Sequence, residues 1–468
     1  MPLHYIISQK NRKQLMVKGY IYNFERASAE KSIWKCVEYF TCKCKGRIHT
    51  QDDNIILEKS HGHPPNAGKI TAKEIMSSIK ERAVTTQEST HSLAAVGTIG
   101  LPCAVSGHIP PVENIKKIIR YARHGEMPLH NPRCLEELVI PEQFSKTLKE
   151  EKFLLYDSGV QTDRILIFST LRNLDFMAEC PNWFADGTFK ATPPLFSQIY
   201  TIHGVKYDNV IPSVYVLMPN KREETYNRVF TVIKSLKPNL QPKTVMTDFE
   251  KAAINAFKNS FPNIIQRGCF FHLSQCVYRK IQSAGLQSKY ETDPNFVLEI
   301  SQLAALAFVP TSDVIEAFEQ LISSTYFVNN MNIIQPIINY FEDTWIGRFT
   351  RRGQRRRPVF DISLWNCYDA VKDKVPRTNN AVEGWHRRFN ELMNGCHPTI
   401  WKFIDCLKKE QNLNSIKIEQ YIAGHHPPVS RKVYRDTSLR IQKIVNDYND
   451  RPILDYLRGI AYNFQLQV

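Results

Sequence analysis

The stretch Lys243-Thr244-Val245-Met246-Thr247-Asp248-Phe249-Glu250 decides how the middle of this chain reads. It has the character of a strand, it ends on a carboxylate, and a helical pattern follows over 250–257. A second strand ends the same way, in Trp183-Phe184-Ala185-Asp186-Gly187-Thr188-Phe189. Further strands are expected over 164–168, 198–203, 210–217 and 264–269, with helices over 224–236 and from residue 273 onward. The order β-β-β-α-β-α-β-α predicts an α/β sheet with helices on both faces. Ligands of such sheets sit beyond strand ends, where Asp186 and Asp248 fall. The two acids are 62 residues apart (248 minus 186), room for two strands and a helix.

Downstream, residues 281–370 read as mostly helical, with 3.6-residue apolar spacing over 298–308 and 314–326. A basic run includes Arg348, Arg351, Arg352, Arg355, Arg356 and Arg357, which reads as a DNA contact, an import signal or a solvated loop. Asn379 then caps a helix with Val382, Trp385, Phe389, Leu392 and Met393 on one face. Glu383 lies in its first turn, and His386 follows three residues on, on the same side as Glu383. Singly, each of the three acids is an ordinary turn former or helix-dipole partner. Together they suit Mg²⁺, which takes oxygen ligands, and the two-ion clamp of phosphoryl transfer.

Upstream, residues 1–65 form a small β unit, with strands expected at 15–17, 20–24, 32–37 and 54–57. Alternation puts Trp34 and Cys36 on one face. So short a unit buries little apolar surface and needs a staple. Cys36, Cys44, His61 and His63 provide two thiolates and two imidazoles, a closed tetrahedral zinc set, with Cys42 a rival to Cys44. The expected organisation is a β module at 1–65, a helical adaptor or linker at 66–150 with a Gly- and Pro-rich loop over 97–112, an α/β core at 151–280, a helical insertion at 281–370, the segment carrying the third acid at 371–400, and a basic helical tail at 401–468.

The 468 residues allow two or three domains, and the net charge of +15 suits a polyanionic partner. No stretch reaches the ~18–20 apolar residues of a spanning helix, so no membrane partner is expected. The first residues lack a charged region followed by a long apolar one, and eleven unevenly spaced cysteines argue against a secreted disulfide framework. A nuclear or cytosolic setting is expected.

The N-terminal residues resemble the FLYWCH zinc finger. Leu15, Tyr22, Trp34, Cys36, Cys44 and His61/His63 fit its named positions, while Ile6 or Ile7 stands where the family has Phe. The resemblance implies a β-sheet module for DNA or protein binding, in which Arg12, Lys13, Lys18, Lys43, Lys45 and Arg47 would contact phosphates or bases. Residues 165–400 resemble Mutator-like element (MULE) transposases. Asp186 sits in Asp-Gly-Thr-Phe, Asp248 in Thr-Asp-Phe-Glu, a Cys-x-x-His follows at Cys269 and His272, and Glu383 sits in the helix running from Asn379 to His386.

That second resemblance implies an RNase-H-like mixed sheet with a helical insertion, and Mg²⁺ or Mn²⁺ held by Asp186, Asp248 and Glu383. It implies cleavage of double-stranded DNA at element terminal repeats, then attack of the freed 3′-hydroxyl on a target phosphate. It also implies a nuclear protein, a homo-oligomer, no small-molecule cofactor, and a basic segment around Arg351, Arg352, Arg355 and Arg356 that contacts DNA. Cys269, His272 and His386 are candidate supports of the site, with packing the plain alternative. A domesticated, catalytically silent DNA-binding regulator is the competing reading.

Overall fold

The structure, a computed structural model, describes residues 3–7, 12–28, 31–52, 54–86, 88–124, 131–206, 209–350, 353–393, 398–425 and 431–466. Met1–His130 and Asn131–Val468 form separate compact units, each with its own sheet.

In the first unit, β1 (His4–Ile7), β2 (Lys13–Val17), β3 (Tyr20–Ser28), β4 (Lys31–Cys36), β5 (Arg47–Gln51) and β6 (Asn54–Lys59) pair antiparallel in chain order. The β2–β3 connection is a two-residue turn with positive φ at both Lys18 (49°) and Gly19 (84°), the geometry that matches strand twist. A Cβ on Gly19 would stand 2.6 Å from the Pro65 side chain. Leu15, Tyr22, Trp34, Cys36, Cys44 and Ile48 form the buried core, so Trp34 and Cys36 share a face as alternation requires. Two strands lie outside the sequence expectation, β1 and β5. The inward positions of β5, Ile48 and Thr50, are hidden between polar neighbours.

The helix Ala67–Thr85 starts at Asn66, whose side chain accepts the Lys69 N–H at 2.8 Å. It buries Met76, Ile79 and Ala83 against Leu93, Ala94, Ile115 and Ile119 from the helices Thr90–Val96 and Val112–His124. Within 97–112, expected as loop, Cys103–Ser106 forms a single helical turn.

The second unit holds β7 (Leu154–Asp157), β8 (Leu166–Phe168), β9 (Asn182–Thr188), β10 (Gln198–Lys206), β11 (Asn209–Met218), β12 (Thr244–Thr247) and β13 (Ile265–Gly268). Their order is β13-β12-β9-β10-β11-β8-β7. The β13–β12 and β12–β9 pairs are parallel and the others antiparallel. Successive strand residues face opposite sides. Trp183, Ala185 and Val245 meet Phe230 and Phe257 of the helices Glu223–Leu236 and Lys251–Ser260 on one side. Phe184 and Met246 meet Val382 of the helix Asn380–Leu392 on the other. The sheet therefore carries helices on both faces. Strand β7 and the helix Leu171–Glu179 were not anticipated, and the helix expected from 273 begins at Phe270.

Helices between 294 and 341 pack with Lys432–Asn446 and Ile453–Ala461 around Phe308, Phe341, Trp345 and Trp365. The helix Ile400–Ile422 is built into the unit. Its Asn414 donates to Tyr215 Oη of β11 at 3.0 Å, and Gln411 donates to Asn173 Oδ1 at 3.0 Å. No described helix is long and apolar enough to cross a membrane.

Candidate metal centres

Cys36 ends β4, Cys44 lies in the loop before β5, and His61 and His63 follow β6. One ligand atom from each lies within 4.8 Å of all the others. Cys36 Sγ is 3.3 Å from His63 Nε2, and Cys44 Sγ is 3.4 Å from His61 Nδ1. Zinc bonds of ~2.3 Å to sulfur and ~2.0 Å to nitrogen put tetrahedral S···N edges near ~3.5 Å, so the set fits zinc. Cys42 is exposed, its thiol turned to the Glu38 carbonyl, which leaves Cys44 as the second thiol of the cluster.

Neighbouring groups aim the ligands. His63 Nδ1 lies 2.9 Å from the Pro64 carbonyl, which fixes the tautomer with Nε2 free to ligate. Tyr22 Oη lies 2.6 Å from His61 Nε2, and the Tyr20 ring stacks on His61 at 3.6 Å. The Gly46 N–H donates to Cys44 Sγ at 3.3 Å. A Cβ on Gly46 would stand 2.5 Å from the His61 ring, so the Cys-Lys-Gly-Arg context reflects a close approach only glycine permits. Burial pushes the Cys36 thiol up to about 11 and lowers His61, so the pocket favours neutral forms until a cation binds.

In the second unit Asp186 lies on β9 and Asp248 directly after β12. These strands pair in parallel with Thr244 opposite Asn182, an offset of 62 residues, the same as that between the two acids. The register thus sets Asp186 and Asp248 level on neighbouring strands. Strand alternation turns both toward the face covered by the helix Asn380–Leu392, which brings Glu383. Asp186 feels both of the other carboxylates. Burial raises Asp186 well above the ordinary range, with Asp248 and Glu383 adding to it, and burial also raises Asp248 and Glu383.

Asn379 occupies the N-cap position, as expected, yet its side chain makes no cap bond. Its Nδ2 donates to Asp186 Oδ2 at 3.3 Å, and its Oδ1 accepts the Cys269 thiol at 3.0 Å. Cys269 Sγ also accepts the Asn379 N–H at 3.3 Å, and burial pushes this thiol up to about 12. His272 Nε2 is 3.4 Å from Glu383 Oε1, while its buried Nδ1 has no hydrogen-bond partner. His386 Nδ1 is 3.7 Å from Asp186 Oδ2 and its Nε2 is 3.1 Å from Thr201 Oγ1. Burial depresses both histidines to about 4, so they are neutral at pH 7. Trp385 locks this helix to the sheet, tilted against Tyr215 at 5.6 Å with its indole N–H on Glu410 at 3.0 Å.

Lys221 had no signal in the sequence. Its ammonium pairs with Glu250 at 2.7 Å, lies over the exposed Phe189 ring at 4.4 Å, and favours the ionised forms of Asp186 and Asp248. Among the arginines and lysines singled out, Arg47 pairs with Glu25 and Lys18 with Glu58, each at 2.7 Å, while Arg12 and Lys45 are exposed. Arg355 lies among Glu319, Glu342 and the Phe349 ring, and Arg356 pairs with Asp343. Arg351 and Arg352 fall outside the described residues.

Comparison with known families gives two matches. Residues 5–63 match the FLYWCH zinc finger domain, and residues 182–276 match the MULE transposase domain. The chain carries a zinc finger followed by a transposase domain. The FLYWCH match takes in all four metal-cluster residues. The MULE match includes Asp186, Asp248, Cys269 and His272 and ends before Glu383. A stretch of 71 residues is 28% identical to FLYWCH-type zinc finger-containing protein 1 of Mus musculus, covering 15% of this chain and 10% of that protein's length. The FLYWCH and MULE domains together indicate a transposase-derived DNA-binding protein.

Proposed function

We propose that this chain is a DDE-type DNA transposase that binds element DNA and catalyses metal-dependent strand cleavage and transfer. The observation that carries this is the register match of β9 and β12, which sets Asp186 beside Asp248 beneath the helix bearing Glu383. Three carboxylates raised by burial, with Asp248 and Glu383 also acting on Asp186, are a donor set for a hard divalent cation. Mg²⁺ or Mn²⁺ bound there would neutralise charge on the reacting phosphate. Asn379 and His386 orient Asp186, Gly187 N–H holds its other oxygen at 2.8 Å, and His272 stands beside Glu383.

Supporting an RNase-H-like reading, β9 to β13 run third-second-first-fourth-fifth across the sheet, with the last two parallel to the first. Helices 281–370 are then an insertion before the segment carrying the third acid. The zinc finger recognises double-stranded element terminal repeats, the protein is nuclear, and it acts as a homo-oligomer. The MULE match ends before Glu383, which leaves one alternative, a catalytically silent zinc-finger DNA-binding regulator.

The test is cleavage of labelled DNA bearing the element's terminal repeats, with Mg²⁺ or Mn²⁺, by wild type and Asp248→Ala. Cutting by wild type alone supports the transposase. Binding without cutting by both supports the regulator.

A further inference from the structure

A groove in the first unit is bounded by the finger's sheet and by the helix Ala67–Thr85, and it holds about 1580 Å³. That exceeds the ~300–1,000 Å³ of ordinary small-molecule pockets and suits a segment of polymer. Among the described residues, Arg12, Lys13, Lys35, Lys69, Lys73 and Lys80 line it, against two acids, Glu25 and Asp52. Glu25 is engaged by Arg47 and Lys35, and Lys69 is paired with Glu38. Three of the cations, Lys69, Lys73 and Lys80, come from the helix, outside the segment that matches the zinc finger. Spacings of four and eleven residues put them on one face of that helix. Lys73 Nζ donates to the neutral amide of Gln14 at 3.0 Å.

Aromatic rings interleave with these cations. Phe24 and Phe40 line the groove and are 50% and 79% exposed, which is unusual for phenylalanine in a unit short of core. Trp34 supports Phe24 edge-on at 5.4 Å. A cationic track with exposed rings is the arrangement that binds single strands, phosphates on the cations and bases stacked on the rings. A duplex keeps its bases paired and stacked internally and has no use for the rings.

We infer that this groove binds a single strand of DNA, with bases on Phe24 and Phe40 and phosphates on Lys73 and Lys80. The finger and the following helix then form one recognition unit. The inference rests on the DNA-binding reading of the chain and is independent of the carboxylates.

The experiment is fluorescence anisotropy of the zinc-loaded full chain with a labelled oligothymidine and with a duplex of equal length, over a range of salt. Zinc per chain is measured for each variant to verify folding. Phe40→Ala, at a solvent-exposed position, should weaken single-strand binding roughly tenfold. Lys73→Gln with Lys80→Gln should lower the salt slope by about 1.4, two phosphate contacts at ~0.7 each. Wild-type affinity in both variants overturns the groove while leaving DNA binding elsewhere intact. Binding of the duplex but not the single strand overturns the assigned occupant, as does equal displacement by polyglutamate. Binding of neither DNA by the zinc-loaded wild type overturns this inference and the DNA-binding reading together, whereas metal-dependent cutting lost in Asp248→Ala tests the carboxylates alone.

Discussion

The side-chain amide of Asn379 donates to the Asp186 carboxylate at 3.3 Å, tying the start of the helix that carries Glu383 to the strand that carries the first acid. The other end of the same amide accepts the Cys269 thiol, so three segments distant in sequence meet at one side chain. Asn379→Ala should leave the fold intact and reduce divalent-dependent cleavage by roughly 10–100-fold, the cost typical of groups that orient metal ligands. The Mn²⁺ concentration for half-maximal activity should rise. A purely structural role would lower thermal stability without moving that midpoint.

The raised carboxylates give a stability prediction. A carboxyl whose folded pKa lies above its unfolded value favours the folded state at low pH, and that stabilisation is lost as pH rises through the folded pKa. Asp186 and Asp248 are both raised, so ionising them as pH rises costs the unit stability. Asp248→Asn should raise the metal-free melting temperature at pH 7, on the order of 2 °C. Mg²⁺ or Mn²⁺ should stabilise wild type more than this variant. Thermal melts with and without cation check both statements, and a variant less stable than wild type without cation would contradict the first.

For the zinc finger, Gly46→Ala places a methyl group against the His61 ring. Zinc content should fall below one per chain, with loss of the β-sheet signal of the first unit. Cys36→Ser should do the same, whereas Cys42→Ser should keep its zinc, because Cys42 lies outside the cluster. Zinc analysis with circular dichroism decides among them, and a chelator should reproduce the Cys36→Ser state.

Trp385 anchors the third-acid helix through Tyr215, His203 and Glu410. Trp385→Ala should cost about 3–5 kcal/mol in denaturant melts of the second unit. Trp385→Phe keeps most of the packing and loses the indole bond, so it should cost on the order of 1 kcal/mol. Equal stability of both variants and wild type would remove the anchoring role.

The sequence by itself carried most of the elements and their order. Period-two runs such as 198–203 and 210–217, and the strand-acid-helix pattern at 243–257, follow from local propensity and patterning, and the strands and helices formed there. The zinc ligands were legible because few residue types bind zinc and a unit this small needs a staple. Strand β5 and the helix Leu171–Glu179 escaped because their inward positions are set by partners elsewhere in the chain. Only the tertiary structure decided that 62 residues is also the pairing offset of β9 and β12, that Asn379 spends its side chain on Asp186 rather than on its own helix, and that Lys221 lies beside the acids. Register, cross-segment hydrogen bonds and mutual desolvation depend on which segments become neighbours, and local residue pattern does not encode neighbours far along the chain.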